Sequence, residues 1–206
     1  MFDILMPVPI QNATLVPDAL VGIVKTTDVP FRVVVVVDGG ARDDLHSLEA
    51  FLGGFDHPWK LMHNNPAVGL NQCIRDGLAE CAEKLTAIIG PEVRILDDRW
   101  YGKMQQIFAK DPITGIVDTV PDTKSATMYP IKRAVGRPAP DDCRFMLVQT
   151  AFAKKTLPYG DVDPSSFWSR SVMWNSGASW YAPGVRYIEV EHQDHDLWRA
   201  PLGVRS

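Results

Sequence analysis

Three short segments of this chain carry side chains that can do chemistry on a ligand. The first is Asp38-Gly39-Gly40, which follows the consecutive valines Val33 to Val37. An unbroken β-branched run reads as a strand buried on both faces, as in parallel sheets covered by helices. Asp38 then stands at the carboxyl end of a central strand, where open α/β sheets hold their ligands. Two glycines after it let the chain turn and let backbone approach a bound molecule. Such an acid either shapes a turn or faces a ligand. The second segment is Asp161-Val162-Asp163, a pair of loop acids ahead of Pro164. The third is Glu189-Val190-Glu191-His192-Gln193-Asp194-His195-Asp196. His192 and His195 are three apart, so on a turn or helix both rings can face one ion. A solvated polar tail is the plainer reading of the same residues. Nearby, Trp168, Trp174, Trp180, Trp198, Tyr181 and Tyr187 offer faces for a sugar or a base, or simply core packing.

The elements that must position these groups alternate along the first half. Phe2–Val8 reads as a strand, Pro17–Val24 as a helix and Arg32–Val37 as the valine strand. Asp43-Asp44 then opens a helix with Leu45, Leu48, Phe51 and Leu52 on its apolar face. Trp59–His63 is a short strand. Leu70, Cys73, Ile74, Gly77, Leu78 and Cys81 repeat at helical spacing, and Leu85–Ile89 is a further buried strand. This alternation predicts a doubly wound sheet. The second half is less regular. A helix over Tyr101–Phe108 closes at Asp111-Pro112, and Ile113–Val120 and Phe145–Val148 read as strands. Residues 121–144 form a long basic loop or hairpin, Ser166–Asn175 a helix and Arg186–Val190 a late strand.

Composition bounds the function. With 206 residues, 46% apolar and 22% charged, the chain is an ordinary globular domain, and no linker divides it. A net charge of −4 gives no general attraction to nucleic acid or anionic membrane. The amino-terminal residues lack the basic and apolar regions of a signal peptide, and no apolar run is long enough to span a bilayer. Cys73, Cys81 and Cys143 form neither an even set nor a zinc spacing, which predicts reduced thiols and a cytoplasmic protein.

Taken in order, several segments resemble the family-2-like nucleotide-sugar glycosyltransferases of the GT-A fold. Ile4-Leu5-Met6-Pro7 through Asn12 resembles their opening strand, and Val35-Val36-Val37-Asp38-Gly39-Gly40 their second strand with its acid. Asn64-Asn65-Pro66-Ala67-Val68-Gly69-Leu70-Asn71 resembles the Asn and Gly turn that heads a helix. Ile88-Ile89-Gly90-Pro91-Glu92-Val93, Trp100 and Asp111-Pro112 follow in the family's order. The likeness covers roughly residues 2–120. It implies a single α/β domain, a mostly parallel twisted sheet covered by helices. Residues 1–120 would form the nucleotide-binding half and residues 121–206 the acceptor-side half.

The resemblance also implies roles. Asp38 would accept hydrogen bonds from the base or ribose, with Pro7, Asn12, Gly39, Gly69 and Asn71 lining the same crevice. The family's Asp-x-Asp metal motif falls on Gly90-Pro91-Glu92, so its first acid is missing. Glu92 would then share a divalent ion, manganese or magnesium, with His192 and His195. Asp97-Asp98 lies just beyond and reads better as a helix cap. Asp161 would be the general base on the acceptor hydroxyl, in preference to Asp163, which precedes proline and shapes the turn.

The expected activity is inverting sugar transfer from a nucleotide sugar to a hydroxyl acceptor: a small molecule, a protein or a modified DNA base. Two other readings fit the same sheet. One is a nucleotidyl- or other group transferase, including one acting on modified nucleobases in DNA. The other is a non-catalytic nucleotide- or nucleic-acid-binding relative. A dinucleotide-binding dehydrogenase is disfavoured, because no G-x-G-x-x-G follows the strand.

Overall fold

The computed structural model describes residues 1–110, 114–121, 145–156 and 178–189. The first strand, β1 (Phe2–Pro9), lies beside β2 (Phe31–Asp38), which pairs with β3 (Trp59–Asn64). On the other side of β1 comes β4 (Leu85–Ile89), and these four strands are all parallel. The sheet continues through β7 (Phe145–Gln149), β6 (Thr114–Pro121), β8 (Ala178–Glu189) and the short β5 (Val93–Ile95). There β4–β7, β6–β7 and β5–β8 run antiparallel, while β6–β8 is parallel.

The valine strand is buried as its composition requires. Val33, Val35 and Val37 enter one core and Val34 and Val36 the other, all fully buried. Alternate side chains of a strand point to opposite faces, so a run without polar residues needs cover on both. Helices α1 (Val16–Thr26), α2 (His46–Gly53) and α4 (Trp100–Lys110) supply it on one face. On the other lie α3 (Leu70–Glu80) and α5 (Thr150–Thr156). The side chain of Trp100 anchors α4, edge-on to Phe2 and Phe145, and its indole N–H donates to Thr27 Oγ1 at 2.9 Å. Helix α3 comes closest to the sheet at Gly77, where a Cβ would clash with Leu5 and reach Val36 Cγ2 at 3.0 Å. Glycine is required there by close approach rather than by a turn.

Several expected elements move. The helix after the valine strand begins at His46 and not at Asp43. Asp44 Oδ2 accepts from the Ala41 N–H at 2.8 Å, which closes a short 3-10 turn over Arg42–Leu45 first. Neither Asp97 nor Asp98 occupies the capping position of α4. Arg99 does, with φ at 59°, and Asp97 instead pairs with Lys103 in the first turn at 3.1 Å. Strand β5 and helix α5 have no counterpart in the sequence reading. The expected helix over Ser166–Asn175, the basic stretch 124–144 and Trp168, Trp174 and Trp198 lie outside the described residues.

The amino edge of the sheet is tied by one buried acid. Asp3 is fully buried and accepts Arg32 Nε at 2.8 Å through Oδ1. Its Oδ2 takes the N–H groups of Ala82 and Glu83, each at 2.8 Å, and Arg32 Nη2 reaches Glu80 O at 2.7 Å. The hydrogen bond to Asp3 raises the Arg32 pKa. One carboxylate thereby joins β1, β2 and the exit of α3, with three donors on its two oxygens, as a buried charge requires.

Asp3→Ala removes that acceptor and leaves the guanidinium and two N–H groups without it. Unfolding free energy should fall by about 3 kcal/mol, read as a lower urea midpoint at unchanged slope. The Asp3→Ala, Arg32→Met double variant should regain part of the loss; strict additivity would remove the pairing argument.

Candidate donor crevice

The carboxyl edge of the parallel strands gathers most of the described candidate residues. Strand order β3-β2-β1-β4 means that the chain moves outward from β1 to β3 and then returns to the far side of β1. Such a reversal leaves a crevice between the loops leaving the two strands that flank it, here β1 and β4. The β1–β4 ladder widens this gap. It covers Asp3, Ile4 and Leu5 and then stops, whereas the β1–β2 ladder continues to Pro9 opposite Asp38. Pro7 and Pro9 have no N–H to offer a neighbour. Pro7 itself is buried within the strand, opposite Val36, so what it shapes is the split and not the surface.

One wall is built around Asp38, which is 7% exposed. Its Oδ1 accepts the Val68 N–H at 2.8 Å and its Oδ2 accepts the Gly69 N–H at 2.9 Å. Gly69, with φ at 87°, heads α3, and the Gly39 N–H returns to Asn64 O at 2.8 Å. The carboxylate thus locks the turn between β3 and α3 onto the end of β2. Each oxygen keeps further acceptor capacity. Gly39, at φ 82°, lies under Ala67, whose Cβ would be 3.3 Å from a side chain there; Ile10 is the next neighbour. Asn12 follows on the 3-10 turn Ile10–Leu15 and is 7% exposed, while Asn71 lies in the first turn of α3. Asn12, Asp38, Gly39, Gly69 and Asn71 therefore belong to one stretch of this edge.

Behind them runs a polar chain that sequence reasoning passed over. His63 Nε2 lies 3.0 Å from Gly39 O. Asn64 Nδ2 donates to Asp76 Oδ2 at 3.3 Å, and Gln72 Nε2 donates to Asp76 Oδ1 at 2.6 Å. Cys73 sits beside this chain. Burial, with the Asp38 charge second, pushes its thiol up to about 12; Cys81, also buried, is pushed to about 12 as well. Neither thiol is a nucleophile near neutral pH.

The other wall follows β4. Gly90 O accepts the Val93 N–H at 3.1 Å, so Gly90-Pro91-Glu92-Val93 is a tight turn with proline in its second position. Glu92 is 3% exposed and folds back over Gly90. A Cβ at position 90 would lie 2.7 Å from the Glu92 carboxyl carbon and 2.8 Å from Oε2. Residue 90 has no room for an acid while Glu92 stands there. Among the described residues, no three His, Cys, Asp or Glu side chains come together to hold a metal ion. The described part of the site does not fit a divalent cation by itself. Asp161, Asp163, His192 and His195 lie outside the described residues.

Arg94 was not singled out in the sequence, where a lone basic residue in a short strand gives no pattern. Its Nη1 donates to Pro91 O at 2.7 Å and Val93 O at 3.0 Å, and its Nη2 to Leu15 O at 3.4 Å. Burial lowers its pKa, with Asp18 and Glu92 acting in the opposite sense.

No family model matches the sequence, and comparison with curated protein sequences gives no match. The fold has clear relatives among solved structures. The mannosyltransferase PcManGT from Pyrobaculum calidifontis, in complex with GDP-Man and Mn2+, superposes with a TM-score of 0.74 at 14% identity over 96% of this chain. GalNAc-T7 with UDP, GalNAc and Mn2+ gives 0.70 at 12% over 92%. TarS 1–349 of S. aureus with UDP-GlcNAc gives 0.67 at 13% over 97%. The chain spans 59%, 44% and 61% of the respective lengths of these proteins. At such identities the likeness establishes the architecture: this chain has the GT-A fold of nucleotide-sugar glycosyltransferases. Among the described residues no helix is long and apolar enough to cross a membrane.

Two outcomes follow for the β2 wall. Asp38→Ala should cost about 1–2 kcal/mol of stability, because two carboxylate-accepted N–H groups lose their partner to partial replacement by water. Asp38→Asn should recover little of it in urea unfolding, since its amide NH2 faces an N–H. In the native protein, peptide mapping after iodoacetamide treatment at pH 8 should find Cys73 and Cys81 unmodified, and both modified in urea. Rapid native labelling of Cys73 would contradict its burial.

Proposed function

We propose that this chain is an inverting glycosyltransferase that moves a sugar from a nucleotide-sugar donor to a hydroxyl acceptor. The observation that supports it most is the split between β1 and β4 at the carboxyl edge of the sheet, beside the turn that Asp38 holds. It lies in a fold shared with three solved structures that hold UDP, GDP-Man or UDP-GlcNAc.

In this reading residues 1–120 bind the nucleotide. Asp38 fixes the 68–69 turn and offers its remaining acceptor capacity to the base or ribose. The backbone around Pro7, with Asn12, Gly39, Gly69 and Asn71, lines the same side. Residues 121–206 supply the acceptor side, where Asp161, ahead of Asp163, takes the proton of the acceptor hydroxyl. The hydroxyl oxygen bonds to the anomeric carbon from the face opposite the diphosphate. The bond from that carbon to the diphosphate oxygen breaks, its electron pair leaves with the nucleoside diphosphate, and configuration inverts. A manganese or magnesium ion would need His192 and His195 in addition to Glu92. The acceptor is a small molecule, a protein or a modified DNA base, and the location is cytoplasmic.

The tight Gly90–Val93 turn, which stands where a two-acid motif would be, favours a second reading. Under it the fold serves a nucleotidyl- or other group transferase, or a binding protein without turnover.

Thermal shift with UDP, GDP and their sugar conjugates, with and without manganese, separates these cases. A bound donor at a hundredfold excess over its Kd should add about 2.7 kcal/mol of stability. Release of the nucleoside diphosphate with an acceptor present supports sugar transfer, and binding without release supports the second reading. Absence of any shift in all conditions would sink the donor site.

A further inference from the structure

The two walls of the crevice are joined where the sheet no longer joins them. The β1–β4 ladder ends at Leu5 and Ile88, and past that point the chain of β1 goes into the Ile10–Leu15 turn while that of β4 goes into Gly90–Val93. Arg94 spans the gap. One guanidinium nitrogen holds Pro91 O and Val93 O, and the other reaches Leu15 O. The fork geometry is what allows one side chain to grip carbonyls on both sides, since arginine presents donors in fixed, divergent directions.

Resting on the donor reading above, we propose that Arg94 is a positioning residue that sets the width of the donor crevice. It holds the Glu92-bearing turn of β4 at a fixed distance from the Asn12-bearing turn of β1. Its charge is not what matters to the nucleotide. Both Nη1 donors and one Nη2 donor are committed to backbone carbonyls of the two turns, and Asp18 and Glu92 are the charges it feels. A nucleotide that touches both turns gains affinity when their separation is set before it arrives, because ordering them on binding costs free energy.

The test compares Arg94→Lys with Arg94→Met, using UDP and GDP as probes in titration calorimetry far below the unfolding temperature. Native folding of each variant is checked by near-ultraviolet circular dichroism. Lysine keeps the charge and loses the fork, and methionine loses both. The proposal expects both variants to bind the diphosphate roughly tenfold or more weakly than the wild type, a change of about 1.4 kcal/mol per tenfold. A merely structural role would lower both melting temperatures and leave the Kd of the folded protein unchanged, which overturns the proposal. Retained affinity in Arg94→Lys with loss in Arg94→Met would show that charge acts instead of the bridge, and overturns it equally. A wild type that binds neither UDP nor GDP defeats the donor reading itself, and this role for Arg94 with it. Hydrogen exchange of the wild type covers variants that do not fold. Saturating nucleotide should slow exchange in both residues 10–15 and residues 90–93, and protection confined to one of the two turns overturns the coupling.

Discussion

The hydrogen bonds from the Val68 and Gly69 amides to the Asp38 carboxylate are the constraint on which the candidate site depends. They connect a buried strand to an irregular turn. The valines bury strand β2 in both cores, and its two polar ends fix its register, Arg32 on Asp3 and Asp38 on the 68–69 turn, since a one-residue slip would carry both away from their partners. Whatever Asp38 holds inherits that fixity. It holds the turn that starts α3, and α3 in turn lies so close to the sheet at Gly77 that its own position is set by Leu5 and Val36. A carboxylate accepting backbone N–H groups is also a strong, directional tie, worth more than a bond between neutral groups.

The same device appears at the other end of the sheet with a different purpose. Asp3 and Arg32 face each other in the β1–β2 register, and Asp3 also takes two amides at the exit of α3. One acid on β1 therefore secures the end of α3, and one acid on β2 secures its beginning. Both are buried, and each oxygen of both accepts at least one N–H donor. The difference lies in what surrounds them. Asp3 is enclosed by packed elements, whereas Val68, one of the partners of Asp38, is 46% exposed. An acid at the open edge can both support the backbone and meet a ligand; the enclosed one can only support.

Much of the amino-terminal half was legible in the sequence because its signals were long and one-sided. A valine run without polar residues has few folded uses, and the apolar spacing from Leu70 to Cys81 leaves one helical face to bury. What escaped the sequence was short or relational. Strand β5 has three residues, too few for a period to show. The ion pair of Asp3 becomes visible only when β1 and β2 are placed in register, 29 residues apart in the chain. The helix expected at Asp43 started late because Asp44 preferred a local bond to Ala41, the competition through which aspartate favours turns over helix interiors. The part Asp38 plays in the backbone was hidden for a related reason. Its partners are N–H groups, which every residue carries and which no motif records.

Gly90 and Glu92 show why counting acids misleads. By position, β4 ends without an acid, and the nearest one stands at Glu92, two residues beyond Gly90. In space the two positions are not independent, because the Gly90–Val93 turn brings Glu92 back over Gly90 until its carboxyl group fills the room of a side chain there. The absence of a side chain at 90 is what lets the acid at 92 be buried. An aspartate introduced at 90 would therefore have to expel Glu92 before serving as a ligand, and a displaced, formerly buried carboxylate would have to find new donors. An acid at 90 takes a change at both positions together, and the turn also carries two of the carbonyls that Arg94 grips. The geometry of the β4 wall is thus a property of Gly90, Glu92 and Arg94 as a set, and the Arg94 guanidinium is what links it to Leu15 on the β1 side.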